Sequence, residues 1–109
     1  MLIREQDRKA LAEIFSKTNS PIEVWAYGSR VNGSAHDTSD LDLVLRTADL
    51  TPLAFDEFET MVDEIQNSNI PILVEIRDWA YLPESFRKEI IKNYEILYSS
   101  IPTTAVIEK

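Results

Sequence analysis

No cysteine occurs among the 109 residues. That excludes disulfide frameworks, zinc-thiolate sites and thiol nucleophiles, and leaves any metal chemistry to oxygen ligands. Histidine is almost as scarce: the single one, His36, falls in a polar loop with no second histidine to share a metal, and no role is assigned to it. Positive charge is short as well. Eleven Lys and Arg against nineteen Asp and Glu leave a formal charge of −8 and a pI near 4.5. This argues against binding DNA or RNA, whose affinity comes mainly from Lys and Arg neutralising phosphates, and favours a protein partner. Long apolar runs are missing, and the N-terminus carries Arg4, Glu5, Asp7, Arg8 and Lys9. Neither a signal-peptide core nor a membrane span is expected, and a cytoplasmic location is the default.

What is present suffices for one modest core. At 44% hydrophobic residues the chain reads as a single domain over 1–109, with no second lobe to grip a base or a nucleic-acid strand. Leu11, Ile14 and Phe15 share a face of a helix from Asp7 to Lys17, stopped by Thr18-Asn19-Ser20-Pro21. Val24 to Tyr27 and Leu41 to Leu45 are short strands. Thr51 as N-cap and Pro52 in the first turn open a crossover helix whose Phe58, Met61, Val62 and Ile65 recur at helical spacing up to Asn67. A strand from Ile70 to Ile76 follows, then a helix from about Pro83 to Asn93 burying Phe86, Ile90 and Ile91, then a short edge strand Tyr94 to Tyr98. The fold class is therefore α/β, a small mixed β-sheet with helices packed on it, ending in a flexible tail from about 100 to 109.

Chemistry concentrates between residues 28 and 45. Gly28 follows a strand and lets the backbone approach a ligand closely; Ser29 can cap the turn that Arg30 to Asn32 start, and Gly33 ends it. The free amides of such a turn suit an anionic oxygen. In the next strand Leu41, Leu43 and Leu45 take the buried face, so Asp40 and Asp42 share the other. Same-face residues on a strand stand roughly 6.5–7 Å apart, close enough for two carboxylates to hold one or two small hard cations. Magnesium suits the set, because it favours few protein carboxylates completed by water and substrate phosphates. Glu75 adds an independent signal: a carboxylate in the middle of an apolar strand is costly to bury unless paired or metal-bound.

Each part has a plainer use by itself. Ser29 can be only a cap, Ser39-Asp40 only a turn, and Asp42 a solvated strand residue; the spacing and Glu75 together favour the site. Arg30 can touch a phosphate or pair with a neighbouring acid. Arg77, on the same face as Glu75, can bind a triphosphate or neutralise that glutamate. Asp37 reads as a turn residue and Asp78 as a bracket for Trp79, while Trp25, Trp79 and Tyr81 read as core or partner-facing rather than base-stacking.

Gly28-Ser29, ten further residues, then Asp40-x-Asp42 resembles the signature of the DNA polymerase beta-like nucleotidyltransferases, and the chain looks like the minimal nucleotidyltransferases within them. The order of elements from Val24 through Tyr98 matches, including the strand Ile72 to Ile76, Asp78-Trp79 and the helix opened by Leu82-Pro83. The resemblance implies a nucleotidyltransferase (polymerase beta-like) fold. It also implies catalytic and metal-binding roles for Asp40, Asp42 and Glu75, with two Mg²⁺ ions and ATP as substrate, and phosphate contacts from Gly28, Ser29 and Arg30. The family usually places aspartate where this chain has Glu75. Members of this size are typically antitoxins that transfer AMP to a tyrosine of a helical HEPN-domain ribonuclease toxin. Two alternatives remain open. One is a catalytically impaired module that neutralises the same kind of partner by binding alone; the other, a small-molecule adenylyltransferase, would normally need a further domain.

Overall fold

The computed structural model describes residues 3–28, 31 and 40–102. Helix α1 (Glu5–Phe15), strands β1 (Ile22–Tyr27) and β2 (Leu41–Thr47), helix α2 (Phe55–Gln66), strand β3 (Val74–Asp78), a 3-10 turn (Trp79–Tyr81), helix α3 (Glu84–Lys92) and strand β4 (Tyr94–Ser99) follow one another. The strands form one sheet in the order β3-β2-β1-β4. Strands β2 and β3 run parallel and the other pairs antiparallel, so the mixed sheet is as expected, with α2 as the crossover that a parallel pair requires. Among the described residues no helix is long and apolar enough to cross a membrane.

Alternation along β2 fixes the layers. Leu41, Leu43 and Leu45 are wholly buried against Leu11 and Phe15 of α1 and Met61 and Ile65 of α2. The opposite face is not simply solvated, because Val44 is wholly buried there in a second cluster with Trp25, Tyr27, Trp79 and Ile90. Helix α3 supplies that cover. Its Phe86 reaches the Tyr27 ring, while Asp42 stays half-buried and Glu75 exposed, so one row of the sheet is left open to solvent at its β2 and β3 end, on the α3 side. Farther along the same face the Arg46 guanidinium lies 4.2 Å from the Trp25 ring and 4.5 Å from the Trp79 ring, with Glu23 at 3.9 Å.

Several boundaries move for local reasons. Helix α1 starts at Glu5 and ends at Phe15, two residues earlier at each end than its apolar spacing suggests. Thr51 is not the cap of α2, which begins at Phe55 after Ala54. Its hydroxyl donates to Asp49 Oδ1 (2.7 Å) and its carbonyl accepts from Thr47 (2.6 Å), so the preceding loop consumes both groups. Strand β3 starts at Val74 rather than Ile70; among the described residues its partner is β2, whose first residue, Leu41, stands opposite Val74. Ile91 is exposed rather than buried, since Phe86 and Ile90 alone face the sheet. Strand β4 is present, with Leu97 as an extra residue opposite the Val24–Trp25 step. Ser100, where the tail was expected to start, is tied to β1: its N–H donates to the Ile22 carbonyl (2.8 Å) and its Oγ accepts from Ile22 N (2.9 Å). Residues 103–109 lie outside the described set.

Asp78 joins three elements. Buried at the end of β3, it accepts from Leu53 N (2.9 Å) ahead of α2 and from Ala80 N (3.0 Å) in the 3-10 turn. Removing it leaves a buried amide without a partner. Asp78→Ala is expected to lose about 2–3 kcal/mol of stability in urea denaturation, with a smaller loss for Asp78→Asn, whose amide oxygen keeps one acceptor. An alanine variant as stable as wild type would show that this carboxylate does not join the elements.

Candidate active site

The open row of the sheet is built by register. Tyr27 of β1 stands opposite Asp42 of β2, and Asp42 stands opposite Glu75 of β3. Pleating turns all three side chains to the α3 side. Asp40, just before β2, lies on the same side and is exposed. Three of the expected site carboxylates, Asp40, Asp42 and Glu75, thus come to one end of one face.

Gly28 closes this arrangement from β1. Its φ of +83° belongs to the left-handed region, where a side chain is disfavoured. A Cβ placed there would meet Asp42 Oδ2 at 2.8 Å. Glycine is therefore favoured by the backbone, and any larger residue there would also push the Asp42 carboxylate from its place. Val31 N donates to the Gly28 carbonyl (3.0 Å), the contact of a tight turn leaving the strand. Ser29 and Arg30, the expected phosphate ligands, and His36 and Asp37 lie outside the described residues.

Electrostatically, Asp42 is the stressed member. Its carboxyl is held above the ordinary range, first by burial, then by Glu75 and more weakly by Asp40, while Arg77 opposes the shift. Glu75 is itself approached by Arg77, with Nη2 to Oε1 at 3.6 Å, and both side chains are about half-exposed. A solvated pair of that length contributes about 0.2–1 kcal/mol. The same guanidinium donates from Nη1 to the Tyr27 hydroxyl (3.1 Å). Burial raises the Tyr27 pKa, partly offset by Arg77, so the phenol stays neutral. Tyr27 is thus a member of the site that its sequence context marks only as an apolar strand residue. The available signal was alternation: a residue immediately before Gly28 and two after Trp25 has to share the face of Asp42.

Among the described residues no three or more Asp, Glu, His or Cys side chains form a ready-made metal cage. The donor set nevertheless fits a magnesium ion that uses few protein oxygens, because the half-buried Asp42 sits near two like charges and its carboxyl stays raised despite Arg77. A cleft of about 280 Å³ runs beside Gly28 along Tyr27, Phe86, Lys92 and Asn93. A second, about 410 Å³, lies at the sheet edge between Val62, Ile65 and Gln66 of α2 and the stretch Leu73 to Arg77, and reaches the row only through Glu75 and Arg77. The cleft between α1 and α2, lined by Lys17, Thr60 and Glu64, lies on the other side of the sheet and has no part in the site. Trp25 and Trp79 are core residues and Tyr81 is exposed; Asp78 brackets Trp79 as expected.

Comparison with known proteins gives this geometry a family. The model of the polymerase beta nucleotidyltransferase family matches residues 9–102. The chain is 33% identical over 95 residues to the "Probable protein adenylyltransferase MntA" of Haemophilus influenzae, covering 87% of this chain and 82% of that protein. A solved chain described as "Crystal structure of the toxin-antitoxin with AMP-PNP" superposes with a TM-score of 0.70, covering 93% of this chain and 79% of that one. At 13% identity, that likeness speaks for the fold. With the family match covering most of the sequence, the chain belongs to the polymerase beta nucleotidyltransferases, as a minimal member of that family of enzymes.

Proposed function

We propose that this nucleotidyltransferase moves AMP from ATP onto a protein hydroxyl, namely a tyrosine of a HEPN-domain toxin that it neutralises as antitoxin. The observation that carries the reading is Asp42, half-buried on the Cα of Gly28 with Asp40 and Glu75 beside it. The relative named as a protein adenylyltransferase supports a protein acceptor, and the structural neighbour supports a toxin partner.

Asp40 and Asp42 would hold the magnesium ions, with Glu75 contributing from β3. When bound, such ions neutralise triphosphate charge and lower the pKa of the attacking hydroxyl. The chain's own residues supply the rest. Gly28 admits a phosphate close to the backbone, and Ser29 and Arg30 would hold the terminal phosphates. Asp42 would hold a cation at the α-phosphate end, since a bare carboxylate repels a phosphate. Glu75, at the solvent side of the row, meets the acceptor, whose oxygen replaces pyrophosphate in line on the α-phosphorus. The Arg77–Glu75 pair favours a second reading, a module that neutralises its partner by occlusion without transfer.

Incubation with ATP, Mg²⁺ and the co-purified HEPN-domain partner separates the two. Wild type is expected to add AMP, about 329 Da per unit by the chemistry of the transfer, to a partner tyrosine and to quench its ribonuclease activity. The Asp40→Asn, Asp42→Asn double variant is expected to bind the partner without modifying it. Neutralisation with no mass increase, equal in both proteins, would establish the occlusion reading.

The same carboxylates burden the metal-free chain. Because the folded pKa of Asp42 lies above its ordinary value of 3.8, folding favours the protonated form. Its contribution to stability is therefore present below that pH and lost as pH rises through the folded value. In EDTA at about pH 7, Asp42→Asn is expected to melt a few degrees higher than wild type, and the difference should vanish near pH 3. With Mg²⁺ and ATP added, only wild type should gain substantially. An asparagine variant less stable than wild type at neutral pH would contradict this account of the charge.

A further inference from the structure

Arg77 makes an unusual reach. It rises from β3 level with Val44, one same-face step beyond Glu75, while Tyr27 rises from β1 level with Asp42. Strand β2 lies between them. For Arg77 Nη1 to stand 3.1 Å from the Tyr27 hydroxyl, the guanidinium has to reach over β2, near enough to Asp42 for the two charges to act on each other. Its second arm points back to Glu75 at 3.6 Å. A cationic group therefore spans the row that collects Asp40, Asp42 and Glu75.

We propose that Arg77 is a built-in counter-ion for this row, resting on Tyr27, which holds the carboxylates together in the metal-free chain and gives up Glu75 when a divalent cation binds. The inference rests on the cation-binding reading of the site given above. The geometry suits a group that yields. Its contact to Glu75 is longer than a good charged hydrogen bond and is reached by water, so exchange is easy. Its anchor on the other side is a neutral phenol, fixed edge-on against Phe86 with ring centroids 5.9 Å apart. A neutral anchor holds the arginine in place without adding another charge to the row. Arg46 shows how a purely structural arginine looks in this protein: lying against two tryptophan rings set edge-on to each other and 21% exposed, against 42% for Arg77.

The test is calorimetric titration of Mn²⁺ into the metal-free chain, with melting measured in EDTA and in saturating Mn²⁺. Arg77→Met keeps the apolar stem and removes the charge. It is expected to melt below wild type in EDTA, to recover the loss in Mn²⁺, and to bind Mn²⁺ about 5–10-fold more tightly. Tyr27→Phe keeps the ring but removes the anchor, and should tighten Mn²⁺ binding in the same direction by a smaller factor, so it carries the test if Arg77→Met does not fold. Asp42→Asn should bind no Mn²⁺. Unchanged Mn²⁺ affinity in Arg77→Met, with an equal loss of melting temperature with and without the ion, would overturn the counter-ion role in favour of a structural strut and leave the cation site standing. Wild type that binds no Mn²⁺ would overturn the cation site, and this inference with it.

Discussion

The Asp42 carboxylate resting on the Cα of Gly28 is the contact around which this end of the molecule is arranged. It needs a glycine with positive φ at the end of β1, an antiparallel register that puts Tyr27 opposite Asp42, and a parallel register that puts Glu75 on its other side. A one-residue slip of either strand would turn its side chain to the leucine face. The leucines of β2 prevent that slip, because all three are wholly buried against α1 and α2. Hydrophobic patterning on one face thus sets the position of charge on the other.

Charge on that face is left partly uncompensated. Helix α3 and the tryptophans bury Val44 and Tyr27 but leave Asp42 half-buried and Glu75 exposed, so like charges meet where burial is incomplete. In a domain whose stability is a small difference between large terms, such a row is tolerated only for a use that needs it. Nucleotidyl transfer is a use of that kind, since it requires carboxylates close enough to share cations yet open enough to admit a triphosphate.

Much of this was legible in the sequence, for physical reasons that differ by element. The alternation Leu41, Leu43, Leu45 fixed both the strand and the face of Asp42, because a period of two leaves one arrangement that buries leucine. Glu75 stood out as an acid among Ile and Val, but the burial argument that singled it out does not hold, because β3 is an edge strand and the side chain is exposed; what brings it to Asp42 is the parallel register. The second cluster was hidden: Val44 looked like one apolar residue on a polar face until Trp79 and Ile90, 35 and 46 positions farther along the chain, arrived to cover its neighbourhood. Thr51 misled because a loop hydrogen bond outbid helix capping for its hydroxyl, and local pattern carries no account of what Asp49 and Thr47 offer. Arg77 could be placed beside Glu75 by alternation, but its bond to Tyr27 spans 50 positions and follows only from the strand order.

The central claim is that the Asp40, Asp42 and Glu75 row is the reaction centre. Crystals grown with AMP-PNP and Mn²⁺ test it most directly, because manganese gives an anomalous signal that locates the ion independently of any assumption about the site. The account predicts an anomalous peak in direct coordination with Asp40 and Asp42 and with a phosphate oxygen of the nucleotide beside Gly28. Nucleotide bound elsewhere, or bound there with no peak at these carboxylates, would contradict it.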